Sequence, residues 1–394
     1  MSKINLIKIR SAISANDPSL RDEISLFLQE IDPMGALDFS EGGKGLPVYF
    51  ILSGGSEPYF KDIFSFKKGP FLILPIGSRN SFAASLEILS FLQRRGEKGI
   101  LLYDQDKKKI GETLLSYAKA YEAFEALKGM RLGLIGGPSE WLIDSQSDPK
   151  KIKEKLGISL VHIPMKEMKD LTDTHQISDE KAYEKMRRKT KRAEALRVSF
   201  YLYSALLAIC KKRKLDGFTL RCFDLLSAYQ NTSCLAFGFL NDQGILAGCE
   251  GDVPALLSMA IIQKLTGQPS FMANPEAMDL KKKQALYAHC TCPFSMLESY
   301  CLMTHFESGV GFGIRGKFRE KEITMVKLDA SLDFLLVKKG RIIENPERDD
   351  ICRSQILVQF DEDIHDLLQS PVGNHMLFLY GDHVKELEAF SYFL

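Results

Sequence analysis

The chain lacks a charge bias: 52 basic against 51 acidic residues leave a formal net charge of +1. That balance offers no field to a nucleic-acid backbone or to an anionic membrane surface, so neither partner is expected. The runs Lys211-Lys212-Arg213-Lys214 and Lys281-Lys282-Lys283 are short and read as solvated faces. An apolar run of the ~18–20 residues that span a bilayer is missing as well. The longest, residues 202–210, is broken by Tyr and Ser. The opening MSKINLIKIR lacks the apolar core of a secretory leader, so cytoplasmic residence is expected.

Paired cysteine doublets are absent too. The chain has eight cysteines, but Cys290-Thr291-Cys292 is C-x-C and no C-x-x-C occurs. A zinc ribbon needs two such doublets. In a reducing compartment disulfides are not expected, and most of these thiols should be small buried hydrophobes. A dinucleotide fingerprint is missing. Gly133-Leu134-Ile135-Gly136-Gly137 follows a strand signal but lacks the G-x-G-x-x-G spacing, and Pro138 follows at once.

What is present is an ordinary globular balance, 394 residues with 45% apolar and 26% charged. At ~150 residues per domain this allows two or three domains. Strand and helix signals alternate through the first part. Strands are predicted near 5–10, 46–53, 71–75 and 99–103, with helices over 20–31, from Asn80 to 92, and over 110–127. The pattern restarts near Met130, with strands at 131–135, 160–164 and 219–222. A long charged helical region with weak turn signals inside is expected at 181–212, and an apolar helix at 253–265. After Gln268-Pro269 strand-like runs dominate, at 270–273, 312–314, 321–328, 333–338, 355–360 and 375–380. The expected class is α/β: two doubly wound parallel-sheet (Rossmann-like) domains, 1–129 and 130–267, then a β-rich, antiparallel barrel-like domain, 268–394.

Three clusters place ionisable groups beside apolar elements. Glu250, in Ala247-Gly248-Cys249-Glu250-Gly251-Asp252, sits where a strand turns into a buried helix. It is either a charge at a helix start or a site residue. His289 lies in Tyr287-Ala288-His289-Cys290, and His375 follows Gly373-Asn374. Taken alone, His289 is more often a hydrogen-bonded structural residue than a ligand, and His375 more often a surface turn residue. One Glu and two separated His suit a divalent cation such as Mn²⁺, with positions left open for sugar oxygens.

From Glu250 to Asn274 the chain resembles the core of L-fucose isomerase. There a metal-binding Glu opens a helix that ends in Leu-Thr-Gly, followed by Phe-Ala-Asp. Here stand Glu250, Leu265-Thr266-Gly267 and Phe271-Met272-Ala273-Asn274. Gly373-Asn374-His375, with Phe378 and Gly381, resembles the segment that presents the family's metal-binding His. The His289 region is similar to a ligand segment of L-arabinose isomerases, and Ser53-Gly54-Gly55-Ser56-Glu57 to a Thr-Gly-Gly-Thr-Glu turn of the first domain. His305-Phe306-Glu307-Ser308-Gly309 and Glu322-Ile323-Thr324 resemble C-terminal segments. The resemblance runs in order over nearly the whole chain, which is shorter than either enzyme.

The resemblance implies a metal-dependent aldose–ketose isomerase acting through an enediol in a homo-oligomer, trimer or hexamer. Glu250, His375 and His289 would hold Mn²⁺ or another divalent cation. Glu250 and Asn274 would serve catalysis, and Ser56, Glu57 and Asn274 the sugar. Asn274 departs from the family, which has an acidic residue there. An amide oxygen can ligate a metal but cannot accept and return a proton. Glu276 and Asp279 are nearby carboxylates. The alternative is a sugar-binding relative with altered or no catalysis.

Overall fold

The computed structural model describes residues 1–12, 17–64 and 69–394. The chain divides into two compact units, residues 1–125 with 385–393, and residues 126–384 with Leu394. In the first unit five strands are joined by helices: β1 (Ser2–Ile9), β2 (Leu37–Ser40), β3 (Leu46–Ile51), β4 (Phe71–Pro75) and β5 (Gly99–Leu101). They form one parallel sheet in the order β2-β1-β3-β4-β5. The helices are α1 (Ser19–Ile31), α2 (Glu57–Phe64), α3 (Ser81–Gln93) and α4 (Lys107–Leu127). Strands buried on both sides, such as Phe71-Leu72-Ile73-Leu74, follow from helices packed on both faces.

The second unit opens with a parallel sheet of β6 (Arg131–Ile135), β7 (Ser159–Ile163), β8 (Gly217–Leu220) and β9 (Leu246–Cys249), in the order β7-β6-β8-β9. Between these strands run α5 (Pro149–Leu156), α6 (Met165–Thr172), α7 (Glu180–Arg187), α8 (Ala193–Arg213), α9 (Asp224–Tyr229) and α10 (Cys234–Asp242). The strand order reverses between β6 and β8. In such sheets the carboxyl ends of the strands at that point form a natural crevice.

The charged helical region expected over 181–212, with weak turn signals inside, is two helices, α7 and α8, with a break at 188–192. By length and composition α8 is apolar enough to cross a membrane, contrary to the expectation that no segment is. Its apolar side, including Leu196, Phe200, Leu206 and Ile209, is buried, and α6, α7 and α10 pack against it.

Helix α11 (Val253–Thr266) leads into a closed antiparallel barrel. The barrel strands are β10 (Phe271–Asp279), β11 (Gln284–His289), β14 (Glu322–Leu328), β15 (Leu335–Glu344), β16 (Ser354–Phe360) and β17 (Met376–Tyr380), closing in the order β10-β11-β16-β15-β14-β17. A separate hairpin, β12 (Leu297–Met303) and β13 (Gly313–Phe318), sits between β11 and β14 in the sequence. Barrel closure removes the unpaired edges that open sheets must protect. Phe271, Tyr287, Met325, Ile356 and Phe378 fill the core. Beyond the short α12 (Asp366–Gln369), the chain ends in α13 (Val384–Ser391).

Candidate active site

β8 and β9 end side by side, with Leu220 opposite Cys249. The chain leaves β9 through Glu250 and Gly251, both left-handed, with φ of 63° and 75°. For a side chain with a Cβ that conformation costs ~1–3 kcal/mol and persists only when its surroundings enforce it. Two contacts do so. The Ser139 N–H donates to the Glu250 carbonyl at 2.8 Å. A Cβ at Gly251 would lie 2.4 Å from the Gly137 carbonyl oxygen, so only glycine fits. The Glu250 carboxylate is thereby presented at the carboxyl edge of the sheet. The Trp141 indole N–H donates to its Oε2 at 2.6 Å.

Two residues on, Asp252 caps α11 by accepting from the Ala255 N–H through Oδ1 at 2.7 Å. Its Oδ2 meets His375 Nδ1 at 2.9 Å. Lys327 Nζ lies 3.1 Å from Oδ2 and 3.3 Å from Oδ1. Asp252, Lys327 and His375 are all fully buried. Burial alone would raise the Asp252 carboxyl, but Lys327 and His375 outweigh it and hold the group at about 2. Burial pulls Lys327 below its usual value despite the attraction of Asp252. Because both partners carry the desolvation cost, the pair contributes little net stability. Removing Asp252 leaves the Lys327 charge buried without its partner.

His375 immediately precedes β17. Burial opposes its charged form, but Asp252 and Glu250 together raise its pKa above the ordinary imidazole value. Commitment of Nδ1 to Asp252 puts a proton on that nitrogen and leaves Nε2 for another partner. Nε2 is buried and, among the described residues, makes no hydrogen bond. Glu250 Oε1 lies 3.7 Å away, an ion-pair separation too long for a hydrogen bond. Burial would raise Glu250 also, yet His375, Trp141 and His289 bring it to about 2.

The barrel rim supplies the remaining groups. Ala273 pairs with Met376 and Asn274 with Ala288, so Asn274 adjoins both the His375 and the His289 strand ends. Asn274 Oδ1 is buried without a hydrogen-bond partner among the described residues. The His289 ring stands 5.7 Å from that of His375. Burial and the charge of His375 lower it to about 3 and keep it neutral. Its Nδ1 accepts from the Thr291 N–H at 3.2 Å, so the neutral ring carries its proton on Nε2. Cys249 Sγ, a Glu250 oxygen and a His289 nitrogen lie within 4.8 Å of one another.

These groups border a pocket. Glu250, Asn274 and His289 line it, as do His305 and Glu307. Five of the eight thiols are buried, as expected of small hydrophobes. Cys222, Cys234, Cys249, Cys290 and Cys352 line the pocket, a placement the spacing did not signal.

Ser56 and Glu57 belong to the first unit, at the start of α2. Ser56 Oγ is buried without a partner there. Glu276 occupies the bulge of β10 and is exposed. Asp279 accepts from the Lys282 N–H and pairs with its ammonium. Neither carboxylate lines the pocket.

Sequence reasoning missed Asp252, Lys327 and Trp141. The available signals were a carboxylate one residue before Val253-Pro254, and a lone lysine inside Met325-Val326-Lys327-Leu328.

No family model matches the chain. It is similar to the sulfoquinovose isomerase of Clostridium sp. (strain MSTE9), 23% identical over 301 residues, 70% of this chain and 66% of that protein. It is similar to the sulfoquinovose isomerase of Priestia aryabhattai at 21% over 297 residues, 72% of this chain and 67% of that protein. For the protein of the same name in Alkalicoccus urumqiensis the identity is 19% over 304 residues, covering 73% and 68%. The match thus spans about two thirds of the length of these relatives.

Proposed function

We propose that the chain is a metal-dependent aldose–ketose isomerase of the fucose/arabinose isomerase type, acting on a sulfonated aldohexose of the sulfoquinovose kind. The observation that carries the reading is the meeting of Glu250 and His375, 125 residues apart in sequence, at 3.7 Å, with Glu250 lining a pocket. The relatives' names support the sugar class and the reaction.

The donor set suits a divalent cation of the Mn²⁺ kind. A carboxylate held ionised, an imidazole Nε2 without a partner and an orphaned amide oxygen point to hard-to-borderline ligation. Glu250, His375 and Asn274 would hold it. His289 would join only by giving up its Thr291 contact, because its free nitrogen carries the proton. When bound, the cation supplies Lewis-acid polarisation of the sugar carbonyl and the neighbouring hydroxyl.

The protein's own groups divide the remaining work. Asp252 fixes the His375 tautomer, and Lys327 balances the Asp252 charge where water cannot reach. Trp141 restrains one Glu250 oxygen and leaves the other toward His375. A neutral His289 Nε2–H can donate to a sugar oxygen. Asn274 can orient substrate but moves no proton.

Assembly as a trimer or hexamer and cytoplasmic residence are proposed on the resemblance alone. Light scattering on purified protein reads the first. The function is tested by incubating the purified protein with sulfoquinovose and Mn²⁺, with other aldoses in parallel, and following ketose formation by NMR. Turnover that needs Mn²⁺ and is lost in His375→Gln is expected. Binding of the sugar without interconversion at any metal concentration would favour the non-catalytic alternative, for which Asn274 is the motivating observation.

A further inference from the structure

An isomerase of this kind must carry a proton from C2 to C1, and Asn274 leaves the site one proton carrier short. Glu250 faces His375, accepts from Trp141 and would itself hold the cation, so it is not free to serve as the base. Glu276 and Asp279 do not line the pocket. The unused chemistry lies on the turn between β12 and β13, where His305 and Glu307 both border the cavity.

The turn is tightly held. The His305 N–H donates to the Val310 carbonyl and the Gly309 N–H to the His305 carbonyl, both at 3.0 Å. At its far side a Cβ on Gly311 would meet the Thr232 nitrogen at 2.6 Å, so the loop lies directly on its neighbour. Thr232 Oγ1 donates to the Phe312 carbonyl at 2.7 Å. Within this frame the His305 side chain is buried and packs edge-on against Phe223 at 5.8 Å. Its Nδ1 meets Ser308 Oγ at 3.1 Å, and among the described residues Nε2 has no hydrogen-bond partner. Glu307, by contrast, is exposed at the pocket mouth.

We propose that His305 is the proton-transferring group of the isomerisation, taking the place that an acidic residue at position 274 would fill. The proposal rests on the isomerase reading above. His305 Nε2 takes the proton from C2, and the C2–H electron pair becomes the C1=C2 bond. The carbonyl π pair moves to O1, which gains the proton that leaves O2. As the O2 electrons form the C2 carbonyl, the C1=C2 pair takes the proton from His305 onto C1. The imidazole ends as it began, and no further reactant is consumed. Burial lowers the pKa of the ring, so it enters the cycle neutral and able to accept.

The test compares His305→Gln, Ser308→Ala and Glu307→Gln with the wild type, each loaded with Mn²⁺ and given sulfoquinovose in deuterated water. Turnover and deuterium entry at C1 of the ketose are followed by NMR, and Mn²⁺ binding by titration. His305→Gln is expected to lower kcat by about 10²–10⁴-fold, to lose deuterium entry in parallel, and to keep Mn²⁺ affinity and KM within about threefold. Ser308→Ala keeps the imidazole and removes its partner, and should lower kcat by about tenfold. That variant serves also where His305→Gln fails to fold. The proposal is overturned if both variants hold kcat within about threefold, or if Glu307→Gln suffers the larger loss. A wild type that binds Mn²⁺ but neither turns over nor exchanges deuterium overturns the isomerase reading, and this proposal with it.

Discussion

Asp252 shows how one buried carboxylate can decide the state of a site it does not line. It caps α11, holds His375 through Nδ1 and neutralises Lys327. Asp252→Asn is expected to weaken Mn²⁺ binding about 10–100-fold, because the outer partner of a metal-binding imidazole fixes its tautomer. Isothermal titration with Mn²⁺ measures this, with circular dichroism as the check on folding. The proton is the competitor for the same nitrogen. Because Asp252 and Glu250 raise the pKa of His375, the apo site holds an imidazolium at mildly acid pH. Mn²⁺ must displace that proton, so affinity should climb as pH rises through the raised pKa and level off above it. Proton release on binding, measured in two buffers of different ionisation enthalpy, checks the sign. At this scale the sequence was partly legible. Glu250 and the two histidines stood out as ionisable groups against apolar neighbours. Asp252 and Lys327 did not, because a cap and a strand lysine are ordinary until a fold buries them together.

The elements that aim these residues are short, and one glycine controls the most important of them. Gly251→Ala puts a Cβ at a φ of 75° and 2.4 Å from a carbonyl oxygen. A loss of about 2–3 kcal/mol in urea unfolding is expected, with the Glu250 carboxylate displaced. Trp141 is the chain's one tryptophan and donates to that carboxylate. Its fluorescence should therefore change on Mn²⁺ addition in the wild type and respond weakly in Gly251→Ala. An unaltered response in the variant would show that the turn does not aim the carboxylate. Strongly periodic or continuously apolar segments, such as β3, β4 and α11, were readable because burial dictates their composition. The break between α7 and α8 left only weak turn signals, since Thr190, Lys191 and Arg192 carry no proline or glycine. The hairpin β12–β13 was read only at its end. Strand β12 is mostly exposed or half-buried and so lacks an apolar signature.

At the scale of the whole molecule, the site and the fold share their ionisable groups. Glu250 and Asp252 sit near 2 in the folded chain, below the usual carboxylate values. A depressed carboxylate contributes stability above its unfolded pKa and loses it as pH falls through the folded one. Unfolding free energy from urea titrations should therefore fall once pH drops below ~6.5, where the unfolded chain protonates the His289 ring that the fold keeps neutral, and most steeply between ~4.5 and ~2. The slope should be shallower in Asp252→Asn. The two units give that measurement a second axis. The ligand set lies in residues 126–384, whereas the first unit is completed by residues 385–393. There Tyr392 packs on Tyr117, and Phe393 on Tyr121 and Phe124. The division shows in no composition shift, because the returning segment is a short, ordinary helix and its partners lie more than 250 residues earlier in the sequence. A ligand that binds only folded protein stabilises by RT ln(1 + [L]/Kd), about 2.7 kcal/mol at a hundredfold excess over Kd. Mn²⁺ should thus raise the calorimetric transition that carries the second unit. Deleting residues 385–394 should lower the transition of the first unit by uncovering Tyr117, Tyr121 and Phe124. If the Mn²⁺-induced shift disappears together with that segment, the metal site depends on the first unit, and the residues named from the second do not suffice to bind it.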